Sequence, residues 1–97
     1  MTATMTRTVN DLHQDAPAVV PHLVVTPAAE AIAWYERALG FELVHCLNMP
    51  GAETVMHACM TYRGMPLFLA DEFPMPRCPK SPRALGGTTL TIHLHAP

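Results

Sequence analysis

Between Ala18 and Ala70 the spacing of apolar positions changes rhythm repeatedly, and each change marks a new element. Residues 18 to 25 alternate, with Leu23 and Val25 on one face and Val20, His22 and Val24 on the other, which predicts a first strand. Thr26 is placed to cap a helix opening at Pro27, whose backbone angle is preset and which has no amide hydrogen to leave unpaired. Ala28, Ala31, Ile32, Tyr35, Ala38 and Leu39 then recur at helical spacing, and Gly40 suits the left-handed residue that ends such helices. Phe41 to Asn48 reads as a second strand, closed by the turn residues Met49-Pro50-Gly51-Ala52. Thr54 to Tyr62 is a third, with Val55, His57, Cys59 and Thr61 on one face and Met56, Ala58, Met60 and Tyr62 on the other, where Met56, Ala58 and Met60 would meet the helix. Arg63-Gly64 reverses the chain into a fourth strand, Met65 to Ala70, where Pro66 belongs at an edge or entry because it donates nothing to a ladder. The pattern is a helical crossover followed by a meander, and the fold class is α+β.

Outside that block the rhythm is lost and then partly returns. Residues 1–17 show no apolar periodicity and read as a flexible tail, leaving 18–70 as the folded unit. Pro74, Pro76, Pro79 and Pro82 make 71–87 a loop or linker that continues neither helix nor strand. Alternation resumes at Thr88, with Leu90, Ile92 and Leu94 opposing Thr91, His93 and His95, so 88–97 reads as the first strand of an incomplete second unit.

Length and charge narrow the partners. A chain of 97 residues accommodates one domain, and with 14% charged residues and a formal net charge of −2 it carries no basic run or stripe for nucleic acid. No apolar run approaches the roughly 20 residues of a membrane span, and the polar first residues lack a signal peptide's apolar centre, so the expected location is cytoplasmic. Cys46, Cys59 and Cys78 are odd in number and widely spaced, which suggests reduced thiols. The expected ligand is a small molecule.

Six histidines in so short a chain raise the question of a transition metal. If Leu23 and Val25, and Leu90, Ile92 and Leu94, face helices, then His22, His57 and His93 share the opposite sheet face with Cys59 beside them. These four are the candidate ligand-binding residues, and the three histidines the candidate metal ligands. Taken singly, each histidine reads first as a hydrogen-bonded or surface residue, and Cys59 as a small buried hydrophobe. His13 and His45 read as surface or filler, Asp71-Glu72 as a solvated loop mouth, and Trp34-Tyr35 as helix packing. No catalytic residue stands out, and no GxSxG, P-loop or GxGxxG pattern occurs.

Val20-Pro21-His22-Leu23-Val24-Val25, Ala31-Ile32-Ala33-Trp34-Tyr35-Glu36-Arg37-Ala38-Leu39-Gly40-Phe41, Val55-Met56-His57-Ala58, Leu67-Phe68-Leu69-Ala70-Asp71-Glu72 and Leu85-Gly86-Gly87-Thr88 occur in that order. Together they resemble the vicinal oxygen chelate superfamily of glyoxalase I, bleomycin-resistance proteins and extradiol dioxygenases, in its bacterial glyoxalase-like branch. The resemblance implies one βαβββ module plus the first strand of a second, truncated one, with two curved sheets of paired modules enclosing a site for a divalent metal or an apolar drug. The register is offset: the family's strand-one histidine falls on Val20, one same-face step from His22, Cys59 stands where related sequences carry Glu, and the strand-five ligand position falls near Thr91.

The resemblance thus implies a protein that holds a small molecule in a curved-sheet trough, with Zn, Ni, Fe or Mn supporting lyase or dioxygenase chemistry, or with no metal at all. A metal-free drug-binding dimer, with Met49, Met56, Met60 and Met65 as adaptable contacts, is the alternative from a different class. An inactive truncated fragment is the third. A homodimer is expected in either active form, with exchange of the Thr88–His95 strand as one route.

Overall fold

The computed structural model describes residues 17–96, so the expected tail, apart from Pro17, lies outside the described residues together with His13 and Pro97. The chain forms β1 (His22–Val24), α1 (Ala28–Trp34), which runs on as a π-helical turn over Tyr35–Leu39, β2 (Glu42–Asn48), β3 (Val55–Tyr62), β4 (Met65–Ala70) and the short α2 (Pro82–Leu85). The four strands make one mixed sheet in the order β1-β4-β3-β2, with β1 parallel to β4 and the other pairs antiparallel. β1 and β2 therefore run in the same direction at opposite edges, and only a crossover such as α1 can join them. This α+β architecture agrees with the strand, helix and meander read from the apolar spacing.

The core lies between α1 and one sheet face. Ala28 and Ile32 pack on Ala58, Met60, Leu67 and Leu69, all at most 6% exposed. Burying side chains of the Met60 and Leu69 type is worth about 1.5–3 kcal/mol each. Phe41 seals one end, with its ring 5.1 Å from Tyr35 and 5.0 Å from Tyr62. Gly40 ends the helix at φ 78° as expected, its N–H turned back to the carbonyls of Glu36 and Tyr35. Ala38, assigned to the buried stripe, is exposed. A π turn holds more residues than an α turn, so it rotates Ala38 away from the sheet.

Five further expectations are corrected. Helix α1 begins at Ala28, with Pro27 in the cap position, and Thr26 does not cap it; its Oγ1 accepts from the Glu72 N–H at 3.2 Å. The Ala28 N–H instead donates to Asp71 Oδ1 at 2.9 Å, and the Val55 N–H donates to Asp71 Oδ2 at 2.8 Å. Asp71 is therefore a buried clasp joining helix start, strand start and strand end, in place of the solvated carboxylate expected.

Within β3, Val55 is in the core while Met56 is 42% exposed, the reverse of the expected alternation. The register skips Met56 between the Leu47–His57 and Asn48–Val55 pairs, and such an irregularity turns the strand by one residue. Inside the Pro-rich stretch, Ser81 accepts from the Ala84 N–H at 3.2 Å and Pro82 opens α2, a cap followed by a preset first residue. Residues 88–96 join no ladder, so the strand expected at Thr88–His95 is absent from the described residues. Alternating sequence is not sufficient for a strand, because its backbone groups need a neighbour to pair with.

Candidate functional site

The face of the sheet turned away from α1 carries the candidate residues. Neighbours in register share a face, and the row His22–Phe68–Cys59–His45 crosses all four strands. In-register neighbours in the adjoining positions, Leu23, Leu69 and Ala58, belong to the helix-side core, which fixes the other row as the outward one. His57 lies one pleat along from Cys59 and opposite Leu47.

Three rings gather there. His57 and Phe68 are 4.8 Å apart between ring centroids, His22 and His57 5.9 Å, and His22 and Phe68 6.3 Å, each edge to face. His22 is exposed and His57 and Phe68 are half-buried, so the cluster is open to a ligand from one side. Cys59 is 2% exposed, with its Sγ 3.7 Å from the Met60 carbonyl, and acts as floor. None of the three cysteines is in a disulfide.

Sequence reasoning missed His45 here. The register shift between Leu43 and His45 leaves Leu43 opposite Met60 on the helix side but sets His45 opposite Cys59 on the histidine side. The displaced residue is Val44, and nothing in the apolar spacing announces it. On the helix side of the same strand Cys46 packs against the core, and its thiol is pushed up from the ordinary value by burial first and by the Asp71 carboxylate second. Burial also raises the Tyr35 hydroxyl.

His93 is not brought to this cluster. Its ring pairs with that of His95, 4.8 Å away, and both line a separate cleft beside the β3–β4 hairpin. Ile92 and Leu94 line the same cleft, so the two faces expected for that segment are not kept apart, since among the described residues no ladder locks its side chains to a sheet. A second groove of about 420 Å³ runs between β1 and the stretch from Pro79 to Ile92 and includes His22 and Leu90.

For a metal, the described residues offer the adjacent imidazoles of His22 and His57. Among the described residues, no set of three His, Cys, Asp or Glu side chains is gathered for one ion. A structural or catalytic zinc takes three or four protein ligands, so a complete site here calls for donors from elsewhere. Among the described residues, no helix is long and apolar enough to cross a membrane.

No protein-family model matches the chain, and no solved structure matches it. It is similar to an uncharacterized protein of Mycobacterium bovis, 42% identical over 81 residues, which covers 80% of this chain and 52% of the relative. Uncharacterized proteins from two Mycobacterium tuberculosis strains match with the same identity over the same length and are covered to 46%. The chain thus spans about half the length of the curated relatives it matches.

Proposed function

We propose that the chain is a small-molecule binding module of the glyoxalase and bleomycin-resistance type, in which the sheet face bearing His22, His57, Phe68 and His45 holds the ligand. The observation that carries this reading is the convergence of His22 and His57 from the first and third strands onto one open aromatic patch, rings 5.9 Å apart, over a buried Cys59 floor. The order β1-β4-β3-β2 with a parallel β1 suits a βαβββ module of that type. An aromatic and imidazole patch of this kind presents apolar area for a ring and polar tips for a carbonyl or hydroxyl.

The outer edge of β1 supports a second copy as partner. Among the described residues β1 pairs with β4 alone, and Pro21 O and the Val25 N–H both point at β4, so His22 and Val24 turn their backbone groups outward. Pairing there would extend the histidine face across two chains and give a divalent ion donors beyond those the described residues of one chain gather. Bound in that way, the ion would act as a Lewis acid toward two neighbouring substrate oxygens. His22 and His57 would be its holders from this chain.

Zinc titration of the purified chain, followed by imidazole NMR and by sedimentation, tests both arms. Saturable shifts of His22 and His57 that vanish in a His22→Ala, His57→Ala variant support the metal-holding form. Binding of an apolar dye at this face that ignores chelator supports the metal-free form. Failure of zinc and dye alike to perturb the face removes the proposal, and a concentration-independent monomer removes the dimer.

A further inference from the structure

A cleft of about 580 Å³ opens beside the β3–β4 hairpin, between the stretch entering β1 and the segment 92–95. It shares no lining residue with the His22–His57 patch: Pro21, Phe41, Tyr62, Met65, Leu67 and Leu94 form its apolar wall. Its volume falls inside the range of roughly 300–1,000 Å³ typical of small-molecule sites. Among the described residues, Arg63 is the one permanently charged side chain in its lining, and no acidic residue lines it.

Arg63 is an unexpected residue for its position. It stands at φ 52° and Gly64 at φ 85°, the paired left-handed conformations of a two-residue hairpin loop. Asn, Asp or Gly is the usual choice there, because a longer side chain costs backbone energy with φ positive. Among the described residues its polar tie is one bond, from Nη1 to the His95 carbonyl at 2.7 Å, which draws the guanidinium over the cleft wall. Among the described residues nothing else takes the remaining N–H donors of the fork, which leaves them for a ligand. A cation at a costly turn position, beside an apolar cleft to which the described residues bring no carboxylate, fits a partner carrying one negative charge at the end of an apolar body.

We infer that this cleft is a second binding site, for an amphipathic monocarboxylate whose chain or ring lies on Phe41, Tyr62 and Leu67 and whose carboxylate is gripped by Arg63. The inference is independent of the reading of the histidine face.

Calorimetric titration of the chain with octanoate and with octanol, alike in chain length but not in charge, tests it together with amide NMR mapping. Octanoate is expected to bind about tenfold more tightly than octanol, the scale of one charge-assisted hydrogen-bond pair. Its shifts should fall on residues 62–67 and 92–95. Arg63→Asn, which suits the turn better, should abolish the preference, keep octanol binding and leave the thermal midpoint no lower. Equal affinity of the two ligands, no binding of either, a preference that survives Arg63→Asn, or shifts centred on His22 and His57 each overturn the inference. Should Arg63→Asn fold poorly, the preference and the shift map of the unaltered chain decide.

Discussion

Replacing Asp71 by Asn changes a few atoms and should cost much of the molecule's stability. The carboxylate is 8% exposed and accepts from the Ala28 N–H at 2.9 Å and from the Val55 N–H at 2.8 Å, one oxygen for each. An amide keeps one acceptor oxygen and sets an NH₂ donor against the other N–H. The loss of one hydrogen bond to a charged group, about 1.5–3 kcal/mol, overlaps the cost of orphaning a buried donor, about 1–3 kcal/mol, so about 3 kcal/mol is expected. A domain of this size has about 5–15 kcal/mol in all, and a loss of that order lowers the thermal midpoint by more than about 10 °C. Urea unfolding followed by circular dichroism measures it, with the slope unchanged if the native fold persists. Glu72→Gln is the control, because the bond that Glu72 Oε1 accepts from the Ser81 hydroxyl, 2.6 Å long, can be kept by an amide oxygen. A loss below about 0.5 kcal/mol for Asp71→Asn, the scale of an ordinary surface change, would refute the clasp. A second readout follows from the field of Asp71 on Cys46: neutralising it should bring the thiol back toward its ordinary value and speed its alkylation in mild base.

Gly40→Ala should destabilise the chain by about 1 kcal/mol through backbone strain alone. Gly40 stands at φ 78° with open space where a methyl group would go, so a loss well above that in urea unfolding would point to a crowding that the structure does not contain. Stability should fall in base. The Cys46 thiol and Tyr35 hydroxyl hold their protons more tightly folded than unfolded, so their contribution is complete below the ordinary values of 9.0 and 10.0 and is lost as pH rises through the folded values. A urea midpoint that stays level or rises between neutral pH and about pH 10 contradicts this.

The succession of strand, helix and three strands was legible because each element repeats its apolar residues at its own period. What escaped were departures from those periods. The shifts at Val44 and Met56 exchange the faces of single residues, and they explain both the missed His45 and the transposed Val55 and Met56. The cap of α1 was sought next to it in sequence and comes from Asp71, 43 residues away. The signal for α2 was present as Ser81-Pro82, and it was obscured because prolines both open helices and break them. Of the candidate site, His22, His57 and Cys59 were legible by alternation, whereas His93 was assigned to a strand that finds no ladder partner among the described residues.

Taken alone, the order of residues determined the local periods, the helix stop at Gly40, the hairpin at Arg63-Gly64 and the presence of a histidine-bearing strand face. Those depend on backbone preferences and on burying one side of each element, which a short window of sequence contains. Only the tertiary structure decided that His22 and His57 meet over Phe68, that His45 joins them, that His93 turns to the cleft instead, and that Asp71 binds three elements together. Each of these depends on which strands pair and in what register, a choice made by contacts between residues distant in sequence.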